Sequence, residues 1–372
     1  MASIEKSIVF VLFIILGLLL KSKFKNKEEL KGIKTIILSL ALPATIFLAL
    51  LKINISSDLI ILPAIALLFN VFLYAVTPVL LHIIGVSDAQ KVRTAKLLVS
   101  SLAPGLSCFP FILEFLGEDM LANAAMADLG NKFFVLIVLY IFAINWHYKR
   151  QNTSNGGLRS KILSLLKVLI LEPVNICIGL ALVLLSLNLD LASLPLYIQE
   201  LFNRLSSLMT PLVLLFIGLA VKYKRKEFAE IFSILMFRAG ISLLLVVAFV
   251  TIFNVSENVS LFMVVFSLSS CSFWPFAHIS SIALKERNVS ASNKTFNSEF
   301  ALAILALSLP ISVALILAIF TAGATFKDTG NLLLLALTLF ALGSFVPLYR
   351  WMKKGAQVKQ RYKNIDLKNK PL

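Results

Sequence analysis

The sequence predicts an all-α polytopic membrane protein. We expect two inverted five-helix repeats with crossed broken helices in spans 4 and 9, plus an extra C-terminal eleventh helix. Three observations predict it. Of 372 residues, 59% are hydrophobic and 15% charged, whereas soluble domains run about 45–50% apolar and about 25% charged. The basic residues cluster in alternate loops. Two apolar segments, in related places of the two halves, carry helix-breaking runs: Ser100 to Phe111 and Ser269 to His278.

Composition also excludes several classes. The net charge is +16, but the charges sit beside the spans, with no basic face interleaved with aromatics. The expected partner is therefore the lipid bilayer and not nucleic acid. The three cysteines, Cys108, Cys177 and Cys271, all fall in apolar segments without metal-ligand spacing. The three histidines, His82, His147 and His278, are scattered. No metal site and no cofactor is expected, and no nucleophile elbow or phosphate loop suggests an enzyme. The first apolar run, Ile8 to Leu20, has no small-residue cleavage site and is followed by Lys21. It reads as a span that doubles as an uncleaved targeting signal.

Eleven apolar segments follow one another at roughly 4–20, 33–51, 59–84, 97–116, 122–146, 162–187, 198–222, 227–254, 259–284, 297–320 and 331–352. Lys and Arg in short loops set orientation. With the N-terminus outside, the inner loops and the basic tail hold 27 of them and the outer segments only three, Lys6, Lys52 and Lys327. The remaining five lie within spans. This predicts a multi-pass protein of the cell (plasma or inner) membrane with the N-terminus outside and the C-terminus cytoplasmic. Trp146 and Trp351 fall at the inner boundary.

The halves repeat at an offset of 168 residues, which carries Pro43 onto Pro211 and spans 3, 4 and 5 onto 8, 9 and 10. Five spans is an odd number, so the second copy enters from the opposite face, the inverted layout of several secondary transporters. The expected units are 1–154, 155–322, an extra transmembrane helix at 323–352 and a basic tail at 353–372.

The breaks supply the first candidate residues: Pro104, Gly105, Ser107, Cys108 and Pro110 in span 4, and Ser272, Trp274, Pro275 and His278 in span 9. Proline removes a backbone donor, and freed polar backbone in hydrocarbon is tolerated only inside protein or along a wet cavity. Trp274 with Phe273 and Phe276 reads either as helix packing or as a ligand wall. His278 can relay protons near neutral pH. Ionisable residues inside spans are the second group. Asp128, Asn131 and Lys132 stand at i, i+3 and i+4 on one helix face. Asp128 lies roughly 9 Å and Lys132 about 15 Å below the outer end at the helical rise. They read as a substrate or proton-coupling site, or as a structural ion pair. Arg238, midway in span 8, neutralises an anionic substrate or pairs with Asp128 or Glu299. Glu299, onto which Asn131 maps, reads as site residue or as helix-end carboxylate. Glu114 and Glu172 lie near span ends and read as solvated.

Pro110-Phe111-Ile112-Leu113-Glu114-Phe115-Leu116-Gly117-Glu118 followed by Met126-Ala127-Asp128-Leu129-Gly130-Asn131 resembles the auxin efflux carrier family of permeases. Glu172-Pro173, Gly179, Pro211 to Gly218 and Ser272 to Glu286 resemble its sixth, seventh and ninth spans, and the likeness covers about residues 5–320. There are departures: the family's Asn and Gly before the first break's second proline fall on Ala103 and Cys108. The bile acid:sodium symporter family shares the architecture and is the rival. The resemblance implies two crossing broken helices at mid-membrane, a scaffold of spans 1, 2, 6 and 7, and a moving unit of the rest.

The expected function is a secondary active transporter, not an enzyme. It would move a small organic anion by alternating access, with H+ or Na+ as coupling ion and a homodimer possible. The alternative is a diverged, non-transporting membrane sensor or assembly protein with the same fold.

Overall fold

Hydrocarbon offers no partner for a backbone N–H or C=O, so an apolar chain in it must pair its own groups as helix. In the computed structural model, which describes residues 3–24, 26–53, 57–151, 158–220, 227–345 and 347–348, the described parts of the expected apolar segments are built of helices, interrupted in the fourth, sixth and ninth. No strand occurs among the described residues.

Among the described residues, seven helices are long and apolar enough to cross a membrane. They are α1 (Ser3–Leu20), α2 (Glu28–Leu51), α3 (Ser57–Ile84), α7 (Glu118–Gln151), α10 (Leu196–Ala220), α11 (Phe228–Phe253) and α14 (Ser298–Thr321). The pair α8 (Leu158–Leu171) and α9 (Pro173–Ser186), bent by 62°, makes an eighth if it is counted as one span. Pro173 opens α9 and holds Glu172 in extended backbone, as a residue before proline prefers.

The other three expected segments are divided or short. The fourth is α4 (Ala89–Val99), the four-residue α5 (Pro104–Ser107) and α6 (Phe109–Leu116). The ninth is α12 (Glu257–Ser267) and α13 (Phe273–Lys285). The eleventh is α15 (Thr329–Phe345). The breaks cut the fourth and ninth runs below the ~20 residues that a straight span needs, and the eleventh is described only in part. Among the described residues, seven to eight spans therefore stand by length and composition. The Lys222 to Lys226 cluster and the tail with Arg350 and Trp351 lie outside the described residues.

Close approaches explain individual glycines. A Cβ on Gly130 of α7 would strike the Pro63 carbonyl of α3, and one on Gly17 of α1 would strike the main chain of α10 at Leu215 and Gly218. Small residues let membrane helices pack backbone to backbone. The packing forms two apolar clusters. Leu102, Cys108 and Leu268 belong to one, and Val99 and Cys271 to the other. The breaks therefore sit where the clusters meet. α12 starts and ends 168 residues after α4, at 89 and 257 and at 99 and 267.

Candidate functional site

The two broken segments meet main chain to main chain. The Ala103 N–H donates to the Ser270 carbonyl at 2.8 Å. The N–H groups of Ser270 and Ser272 donate to the hydroxyls of Ser107 and Ser101, each at 3.0 Å, and Cys271 N–H donates to Ser308 of α14 at 3.3 Å. Ser312 donates to the Leu268 carbonyl. The serines that flagged the breaks thus replace the ladder that the breaks remove. Each hydroxyl also donates locally, Ser107 to Ala103 and Ser101 to Leu98.

Asn131 completes the first break. Its amide nitrogen donates to the Leu102 carbonyl at 3.0 Å and to Asp128 Oδ1 at 2.7 Å. Its oxygen accepts from Leu102 N–H at 3.2 Å and from Asn70 of α3 at 3.0 Å. All four bonds that an amide can make are made.

Asp128 continues into a buried charge cluster. Its Oδ2 lies 3.5 Å from Lys132 Nζ, which lies 3.2 Å from Glu172 Oε1 and 3.1 Å from Asn175 Oδ1. Asn175 in turn donates to the Leu169 carbonyl across the α8–α9 bend at 2.6 Å. The side chains of Asp128, Lys132 and Glu172 are 8%, 10% and 24% exposed. Glu172 is therefore not solvated, because the 62° bend turns it inward onto Lys132. Among the described residues, the buried acceptors without a hydrogen-bond partner include Asn70 Oδ1 and Glu172 Oε2.

Arg238 meets neither Asp128 nor Glu299. Its Nε donates to the Val99 carbonyl at 2.8 Å and its Nη2 to Ser101 at 3.1 Å. It caps α4, where orphan carbonyls and the helix dipole favour a cation. His278 Nε2 lies 2.9 Å from the Val135 carbonyl, inside a π-helical turn over Phe134–Val138. Such turns interrupt the regular helical ladder, and His278 engages a carbonyl there. Glu299 stands exposed in the first turn of α14, behind the Asn297 cap, and forms no ion pair among the described residues.

Of the remaining candidates, Pro104 opens α5 and Pro110 stands second in α6, with Cys108 fully buried between them. Gly105 faces Leu42, whose Cδ2 would lie 3.0 Å from a Cβ there. Ser272 caps α13 and accepts from Trp274 N–H at 3.3 Å. Trp274 packs against the core and Pro275 is buried.

Sequence reasoning missed Asn70, Asn175 and Lys34, and read Glu172 as solvated. A lone amide in an apolar run has no partner visible in sequence. Lys34, on α2, lies 4.7 Å from the ring centre of Phe273 at the start of α13, and it forms no ion pair among the described residues. At the opposite end of α13, Glu286 accepts from the Thr295 N–H at 2.9 Å, the Thr295 hydroxyl, Gln151 at 3.3 Å and His147 at 2.8 Å. Burial pushes its carboxyl upward, but Thr295 and His147 outweigh that and hold it below the ordinary glutamate value.

Two cavities flank the site. One of about 440 Å³ lies between α3, α7, α11 and α12, lined by Phe69, Ala127, Phe262 and Phe266, with no titratable side chain. Another of about 370 Å³ lies between α1, α6 and α10 and includes Lys6, Glu114 and Thr210. Both fall in the size range of small-molecule sites.

No family model matches the chain. A protein of Methanocaldococcus jannaschii named as an uncharacterized transporter is 29% identical over 268 residues, which are 68% of this chain and 80% of that protein.

Proposed function

We propose that this protein is a secondary active transporter of the auxin efflux carrier type, moving a small organic anion by alternating access in the cell membrane. The observation that carries the reading is the union of two broken helices through Ala103 and Ser270, beside a buried Asp128–Lys132–Glu172 cluster. Broken helices and intramembrane charges mark transport sites because both are costly in lipid unless used. The name of the archaeal relative supports the same class.

The units are two inverted repeats, 1–154 and 155–322, followed by the extra helix. The 168-residue spacing of α4 and α12 supports them. Arg238 and Lys132 are already committed to protein partners, so Lys34 beside Phe273 supplies the positive charge for the anion. The start of α13 adds backbone dipoles. The Asp128–Lys132–Glu172 cluster couples the movement to an ion gradient. The test is gradient-driven uptake by proteoliposomes of a panel of carboxylates, phenolic acids and bile acids. Uptake that falls in Lys34→Met is expected; absence of flux for the whole panel overturns the reading.

A second reading is a membrane sensor that kept the fold. Cys108 is fully buried and the Ala103 N–H is spent on Ser270, so neither offers a polar group to a ligand. Flux abolished by Asp128→Asn removes this alternative.

A further inference from the structure

Resting on the transport reading and deepening it, we propose that Glu172 is the proton-binding group of the cycle, with Lys132 as the charge that its protonation releases. Glu172 and Asp128 share one ammonium, so the ionised trio carries one net negative charge. Glu172 Oε2 is buried without a partner, and a buried carboxylate oxygen without a partner is costly. A proton there removes the excess charge and gives Oε2 a donor of its own.

The geometry favours a proton over a sodium ion. Lys132 Nζ occupies the centre of the available oxygens, Asp128 Oδ2, Glu172 Oε1 and Asn175 Oδ1, at 3.5, 3.2 and 3.1 Å. A metal ion would have to share that position with an ammonium. The charged groups facing Glu172 are Lys132 and Asp128 on α7. The stretch Leu42–Leu51 of α2, which packs on α9, buries apolar side chains and Thr45.

The pair also links neighbouring helices. α7 packs along α3 and onto the Leu42–Leu51 stretch of α2, along which α9 also packs. With Glu172 ionised, Lys132 ties α7 to the α8–α9 bend. A proton taken from water onto Oε2 forms one O–H bond and neutralises Glu172. Lys132 then keeps Asp128 and the uncharged Asn175, and the ionic part of the tie is lost. Loss of the proton restores it.

The test is labelling of the purified full chain with dicyclohexylcarbodiimide, which reacts with protonated carboxyls in apolar surroundings, read by peptide mass. We expect an adduct on Glu172 that grows as pH falls and is absent from Glu172→Gln. In Lys132→Gln the same adduct should extend to higher pH, because the stabilising ammonium is gone. No adduct on Glu172 at any pH overturns the proposal, as does labelling suppressed by Na+ at fixed pH. Should Lys132→Gln fail to fold, the wild-type profile and Glu172→Gln decide alone. Labelling that behaves as expected while no panel anion is transported defeats the transport reading only. Flux without labelling defeats the proton site only.

Discussion

The side-chain amide of Asn131 pairs with both main-chain groups of Leu102, donating at 3.0 Å and accepting at 3.2 Å. One residue on an unbroken helix thus supplies the pairing that a broken one gives up. Asn131→Leu leaves the Leu102 N–H and C=O buried and unpaired, at about 1–3 kcal/mol for a lost buried partner. We expect a clearly lower thermal midpoint in detergent. A midpoint equal to wild type would show that Leu102 needs no such partner.

Arg238 is a helix cap. Hydrogen bonds to charged groups contribute about 1.5–3 kcal/mol each, so Arg238→Met should destabilise the protein by an amount of that order. Arg238→Lys should recover part of it. A purely substrate-binding arginine would instead change apparent affinity and leave unfolding untouched.

All three lysines expected outside meet a glutamate: Lys6 with Glu114 at 3.3 Å, Lys52 with Glu118 and Lys327 with Glu257, both at 2.7 Å. These half-exposed pairs contribute about 0–1 kcal/mol, so Lys52→Cys should fold. On intact cells it should react with a membrane-impermeant thiol reagent, and Lys285→Cys should not. The reverse pattern would invert the topology.

Glu286 makes the C-terminal end of α13 acid-sensitive. Its folded-state carboxyl lies below the ordinary glutamate value. Its contribution is therefore fully present above that ordinary value and is lost as pH falls through the depressed one. Glu286→Gln should flatten the acid limb of a stability-against-pH curve. An unchanged limb would show that the acid loss comes from other carboxylates.

Much of this was legible from residue types. Prolines and serines marked both breaks, because those residues interrupt or replace helical pairing wherever they occur. Asp128, Asn131 and Lys132 were visible as one face because helical spacing is local. Glu172 was not legible, since its burial depends on the direction of a bend that Pro173 permits but does not aim. Arg238 was visible as an anomaly, yet its partners are carbonyls, which every sequence position carries alike. Lys34 lies near a span end and was hidden for a similar reason: only the approach of its ammonium to the Phe273 ring gives it meaning.

The exchange of serine hydroxyls between the breaks has a consequence for biosynthesis. Ser101 and Ser107 must wait for Ser272 and Ser270, which lie 171 and 163 positions further along the chain. While the ribosome is still producing the middle of the protein, the first break sits beside the translocon with its acceptors unused. Its final geometry is fixed only when the ninth segment has been inserted. Truncation before residue 270 should therefore yield a chain recognised by membrane quality control, even though its first five segments are complete.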